Sequence, residues 1–168
     1  MPQIELSEKV NESFYKVSPA AWQLACDIAA GKAPYEAVNL SMNLTSFKLP
    51  DVASVGVIVG ITLGDAIGVP PNEFELKAHA RNANSFFPQF EGHIRLLDDG
   101  GTAAWIFLVG SYAAPFGPLG RALDATIMHG VAQESLHTFL RWFATQTQER
   151  IARGDYKTAA ELMRQNDG

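Results

Sequence analysis

Cysteine is nearly absent: Cys26 stands alone in 168 residues. An intramolecular disulfide is therefore excluded, and so is a zinc site built on cysteines. Charge is also sparse. Charged residues make up 18% of the chain and the formal net charge is −5. The lysine and arginine excess that displaces phosphate counterions is missing, so nucleic acid is not an expected partner. No polybasic segment offers itself to anionic lipid either. The first fifteen residues, MPQIELSEKVNESFY, lack an apolar h-region and carry acidic residues. They do not read as a secretory signal, and a cytoplasmic location is expected. Motifs are scarce too. There is no G-x-S-x-G nucleophile elbow and no cluster of metal-ligating side chains. Neither a metal nor a cofactor is expected.

Long hydrophobic runs are missing as well. The most apolar stretch, Val52–Pro71, carries glycine at Gly56, Gly60, Gly64 and Gly68. Glycine at every fourth position suits a packed pair of transmembrane helices. However, the unbroken apolar part stops at Asp65, short of the roughly 20 residues that span a bilayer. Val55, Val57, Val59, Ile61 and Leu63 alternate and are mostly β-branched, which favours a strand. Membrane insertion is not expected. With hydrophobic residues at 47%, the chain reads as one globular domain over residues 1–168, with a short amphipathic tail from Asp155.

The alternation of Ile4, Leu6, Val10 and Phe14 predicts a first strand over Ile4–Val17. Ser18-Pro19 then reads as a cap and first helical proline. A short helix over Ala20–Ala30 follows, with Trp22, Cys26 and Ala29 on one face and Gly31 closing it. A helical turn or two at Pro34–Leu40 and a weak strand at Asn39–Phe47 come next. Phe74, Leu76, Ala78 and Ala80 alternate with Glu75, Lys77, His79 and Arg81, the pattern of a half-buried strand.

The segment Phe87–Phe143 is the richest. A strand over Phe90–Leu97 meets Asp98-Asp99-Gly100-Gly101, a hairpin turn signal. Pairing Asp98 with Thr102 puts Phe90, Gly92, Ile94 and Leu96 on one face with Ala104, Ile106, Leu108, Gly110 and Tyr112. Glu91, His93 and Arg95 then share the other face with Trp105, Phe107 and Val109. A slip of one residue would reverse the second set. After a Pro/Gly-rich corner, a long helix runs from near Leu119 to Ala152. Met128, Ala132, Leu136, Phe139, Leu140 and Phe143 form its apolar stripe.

The order of strand, short helices, strand meander and long final helix resembles the SRPBCC superfamily, also called START or Bet v 1-like. The likeness is to bacterial polyketide cyclase/dehydrase-type members. It is carried by Phe87-Pro88, Phe90-Glu91-Gly92, Ile106–Tyr112, Pro115-Phe116-Gly117-Pro118-Leu119-Gly120, Leu123-Asp124 and His129. The resemblance implies an α+β helix-grip fold, a curved antiparallel sheet wrapped around a long C-terminal helix with a cavity between them. Phe90, Ile94, Ile106, Leu108 and Tyr112 would line it from the sheet. Leu136, Phe139, Leu140 and Phe143 would line it from the helix. The expected function is binding of a hydrophobic small molecule, lipid- or polyketide-like, without clear catalytic machinery.

Two alternatives stand beside it. Tyr112 and His129 are the candidate acid/base groups of a polyketide cyclase or dehydratase, because imidazole titrates near neutrality. Each also has an ordinary reading, as a core tyrosine and a hydrogen-bonded histidine. Trp105, Phe107 and Val109, if outward, suggest a homodimer contact. Ser111, His129 and Asp124 do not make a triad, since Ser111 falls on the face opposite Tyr112.

Overall fold

A computed structural model describes residues 2–33, 59–81, 88–113 and 125–167. Five strands and three helices are described: β1 (Gln3–Val10), α1 (Phe14–Ala29), β2 (Val59–Gly68), β3 (Pro71–Ala80), β4 (Gln89–Asp99), β5 (Ala103–Ala113), α2 (Ala125–Arg153) and α3 (Ala159–Asn166). The strands form one antiparallel sheet in the order β1-β5-β4-β3-β2. The expected helix over Pro34–Leu40 and strand over Asn39–Phe47 lie outside the described residues, as does the corner before α2.

The first strand and helix correct the sequence reading. β1 ends at Val10, and α1 begins six residues earlier than expected, with Ser13 in extended geometry at its N-cap. The Ser13 carbonyl accepts from the backbone N–H groups of Lys16 and Val17. Pro19 therefore lies inside the helix rather than at its start. Burial overrides the local start signal. Val17, Ala20, Ala21, Leu24, Ala25 and Ile28 make a continuous core stripe that includes the turn before Pro19. Trp22, Cys26 and Ala29 flank that stripe and are only partly buried. Gly31, with φ 73°, follows the helix as expected.

The hairpin gives a second correction. Asp99 pairs with Ala103 and Asp98 with Ala104, so the register is displaced by two residues from the expected Asp98–Thr102 pairing. The loop is Gly100-Gly101-Thr102. Both glycines take positive φ, and the Gly101 N–H donates to the Asp98 carboxylate at 3.0 Å. Because side chains alternate with period two, an even displacement leaves every residue on its expected face. Ile94 sits opposite Leu108, Leu96 opposite Ile106 and Phe90 opposite Tyr112. Trp105, Phe107 and Val109 point outward and are half-buried.

Gly92 and Gly110 face each other across the ladder. A Cβ on Gly92 would lie 2.2 Å from the Val109 carbonyl oxygen and 2.7 Å from the Phe90 ring. The ring is thus folded over a strip that only glycine can supply. β2 runs beyond the expected Leu63 to Gly68, with irregular pairing at Leu63/Ala66 and Ile67/Gly68 that bends this edge.

α2 lays Ala132, Leu136, Phe139, Leu140, Phe143 and Ala144 into the core. Each fully buried leucine or phenylalanine contributes about 1.5–3 kcal/mol of transfer free energy. The helix backbone lies close to β1 and α1 rather than over β2–β4. Gly154, at φ 67°, stops it where expected. The tail forms α3, capped by a reciprocal Thr158–Glu161 box. Gln23 holds the tail to α1, donating to the Lys157 carbonyl at 2.7 Å and accepting from the Lys157 N–H at 2.6 Å.

Candidate functional site

The nine residues expected to line an interior all come together. Phe90, Ile94, Ile106, Leu108 and Tyr112 from the sheet, and Leu136, Phe139, Leu140 and Phe143 from α2, are buried members of one hydrophobic cluster. On the inner faces of β3, β4 and β5 the other buried or half-buried residues are Phe74, Leu76, Ala78, Ala80, Gly92, Leu96, Ala104 and Gly110, while Asn72 and Asp98 are exposed at the strand ends. Among the buried or half-buried positions of those three faces, the Tyr112 hydroxyl is the one polar side-chain group.

Tyr112 is held from two sides. Its N–H donates to the Pro2 carbonyl at 3.1 Å, which carries the β1–β5 pairing past Gln3–Ser111. Its hydroxyl meets the Nδ1 of His129, and the two rings lie 5.7 Å apart at 34°. Burial pushes the phenol pKa above its ordinary value. The phenol therefore stays protonated through neutral pH and can donate to a neutral imidazole. His129 is exposed while Tyr112 is buried. The pair thus bridges solvent and interior, and the two candidate acid/base groups are direct partners. Asp124 lies outside the described residues. Ser111 is on the outer face, opposite Glu91, as expected.

A second histidine on α2 has a different setting, which the sequence reading missed. His137 Nε2 lies 2.9 Å from Glu8 on the inner face of β1. Arg141 reaches the same carboxylate oxygen at 3.5 Å and contacts His137 Nδ1 at 3.1 Å. Arginine can only donate, so Nδ1 accepts and Nε2 carries the proton shared with Glu8. The available signal was parity. Glu8 falls in phase with Ile4, Leu6 and Val10, so an acid was bound to face the helix.

The outer face is divided. Glu73–Arg95, Glu75–His93 and Lys77–Glu91 are directly opposed on β3 and β4, with contacts of 3.3, 3.6 and 3.3 Å. A groove of about 420 Å³ runs beside these pairs, lined by Thr62, Gly64, Glu75, Lys77, Glu91, His93 and Ser111. On β5, Trp105 and Phe107 stand 6.3 Å apart, and Lys9 lies 5.8 Å over the Trp105 ring. Among the described residues, no group of three or more His, Cys, Asp or Glu is arranged to hold a metal. Among them, too, no helix is long and apolar enough to cross a membrane.

No protein-family model matches the sequence, and no curated protein matches it. Solved structures do resemble it. A conserved protein from Geobacillus kaustophilus aligns over 90% of this chain and 96% of its own, at 14% identity and a TM-score of 0.55. The Zhui aromatase/cyclase from Streptomyces sp. R1128 aligns over 89% and 95%, at 11% identity and a TM-score of 0.49. A START superfamily protein from Mycobacterium smegmatis aligns over 90% and 97%, at 10% identity and a TM-score of 0.46. At such identities the likeness is one of fold. With a helix after the first strand, an antiparallel meander returning to pair β5 with β1, and a long helix packed on the sheet's inner side, the chain has an α+β helix-grip fold.

Proposed function

We propose that the protein binds a hydrophobic small molecule, lipid- or polyketide-like, between the sheet and α2. One observation carries the reading: the buried inner positions of β3–β5 are apolar except for the Tyr112 phenol, and Leu136, Phe139, Leu140 and Phe143 of α2 add to the same apolar interior. Apolar concave surfaces with few, well-placed polar groups are where small ligands bind. Phe90, Ile94, Ile106, Leu108, Leu136, Phe139, Leu140 and Phe143 are the proposed walls, and Tyr112 is the polar contact. Titration with 1-anilinonaphthalene-8-sulfonate tests this. A saturable rise in its fluorescence is expected, and Leu108→Trp, which fills the interior, should abolish it. No rise, or an unchanged rise in a folded Leu108→Trp variant, would refute the reading.

The Tyr112–His129 contact favours a second reading, acid/base chemistry of the cyclase or dehydratase type on the same ligand. Tyr112→Phe and His129→Ala would then each stop turnover while a bound product is still retained. The outward Trp105, Phe107 and Val109 support a third proposal, a homodimer contact. A monomer by light scattering at high concentration would remove it.

A further inference from the structure

The C-terminal tail is docked on the body of the protein without being built into it. None of the residues of α3 is buried. Its capping box joins Thr158 to Glu161 within the tail, so lifting the tail breaks no cap. Gly154, at φ 67°, stands between α2 and the tail, and the Asp155 N–H donates back to the Arg150 carbonyl of α2. Beyond that point the tail is held by the two hydrogen bonds of the Gln23 amide and by half-buried Tyr156, Ala159 and Leu162.

Trp22 lies where this tail meets the body. A groove of about 590 Å³ lies between α1, the end of α2 and α3, and another of about 310 Å³ lies between α3 and the β2–β3 turn at Gly68–Pro71. Trp22 of α1 and Leu162 of α3 border both grooves. The indole also meets the Phe74 ring edge-on, with centroids 5.2 Å apart. Phe74 is fully buried and sits opposite Ile94, one of the proposed walls of the interior. Trp22, Phe74 and Ile94 therefore form a line of apolar side chains from the tail to the interior. The β2–β3 turn is tied to α1, because the Ser18 hydroxyl donates to the Pro71 carbonyl at 3.3 Å. The tail is the less firmly held side of this opening.

We propose that the tail is a strap over Trp22, and that a ligand enters and leaves the interior past this indole when the strap lifts. The inference rests on the interior-binding reading. With α3 docked, the indole is held against Phe74. With α3 lifted, the indole has solvent on its outer side and is free to turn away. That turn leaves Val17, Ala20, Ala21 and Leu24, the buried stripe of the same helix, in place. Segments with little buried apolar contact open at lower cost than the core. Such a strap has a kinetic signature. Passage in either direction needs the lifted state, so both rate constants scale with its population. A ligand that does not touch the tail leaves that population unchanged, and Kd is independent of the strap.

Stopped-flow mixing of the full chain with 1-anilinonaphthalene-8-sulfonate tests this, counting only the signal that Leu108→Trp abolishes. Gln23→Ala removes both hydrogen bonds to the tail. Leu162→Ala keeps them and thins the cover beside Trp22. Both positions are half-buried on helices, and both variants should fold. Each should raise the association and dissociation rate constants together, with Kd unchanged. The rise should be about tenfold in Gln23→Ala, the population change that one hydrogen bond of ordinary net strength carries, and smaller in Leu162→Ala. Tryptic cleavage after Arg164 should quicken in Gln23→Ala as the tail lifts. If cleavage quickens and the rate constants stay native, the strap is wrong and the binding reading stands. Cleavage at the native rate in Gln23→Ala also overturns the proposal, since the anchor is then not one. A weaker Kd with faster dissociation alone would make the tail a wall of the site, and equally refutes it. If no signal depends on Leu108, the binding reading fails and the inference with it.

Discussion

The two faces of the sheet use opposite means to hold the same strands. On the outside, β3 and β4 are linked by two directly opposed ion pairs, Lys77–Glu91 and Arg95–Glu73, and by the Glu75–His93 contact between them, all at least partly exposed. On the inside, the same strands bury Phe74, Leu76, Ala78, Phe90 and Ile94. Exposed ion pairs contribute about 0.2–1 kcal/mol each because water and salt screen them. The inner aromatic and aliphatic residues contribute several times more apiece. Stability therefore resides inside, and the outer charges can vary at little cost. The inner face has few polar groups, so each of them matters more for function.

That contrast can be broken by mutation. Phe139→Ala should give the largest effect, a loss of about 3–5 kcal/mol in denaturant unfolding, since it leaves a cavity in the sheet–helix contact. Gly92→Ala should cost about 2–3 kcal/mol, because its methyl would meet the Val109 carbonyl and the Phe90 ring. A smaller loss there would mean that the β4–β5 ladder can spread.

Tyr112→Phe should cost about 1 kcal/mol at neutral pH, and its pH profile gives a clearer test. The folded-state phenol pKa is raised above its unfolded value. Its contribution is therefore complete below the ordinary phenol pKa and is lost as pH rises through the folded value. Native stability should sag in alkali, and Tyr112→Phe should remove that part of the sag. At the small end, a double-mutant cycle between Lys77→Ala and Glu91→Ala should return a coupling of about 0.5 kcal/mol that fades in high salt. A coupling that persists in salt would place this pair among the structural contacts and undo the contrast.

The sequence was most legible where side-chain parity decides the outcome. The inner and outer sets of β3, β4 and β5 followed from alternation, and they remained correct although the hairpin register differs by two residues. The final helix stripe was equally legible, because Leu136, Phe139, Leu140 and Phe143 recur at helical spacing. The start of α1 was not. Ser18-Pro19 is a strong local signal, but the burial of Val17 is a tertiary fact that no window of sequence contains. The candidate pair Tyr112 and His129 could be named one residue at a time. Their contact joins a strand end to a separate helix and has no local signature. Glu8, His137 and Arg141 were missed for the same reason, although the phase of Glu8 pointed inward.

The way Gln23 holds the C-terminal tail has a consequence for how that tail can change. The side-chain amide bonds the main-chain N–H and C=O of residue 157, acting as a single borrowed peptide unit. The lysine side chain at that position takes no part in these two bonds. Docking of the tail is therefore indifferent to which amino acid stands there, with one exception. Proline has no N–H to give, so Lys157→Pro should free the tail, whereas Lys157→Ala or Lys157→Glu should leave it anchored.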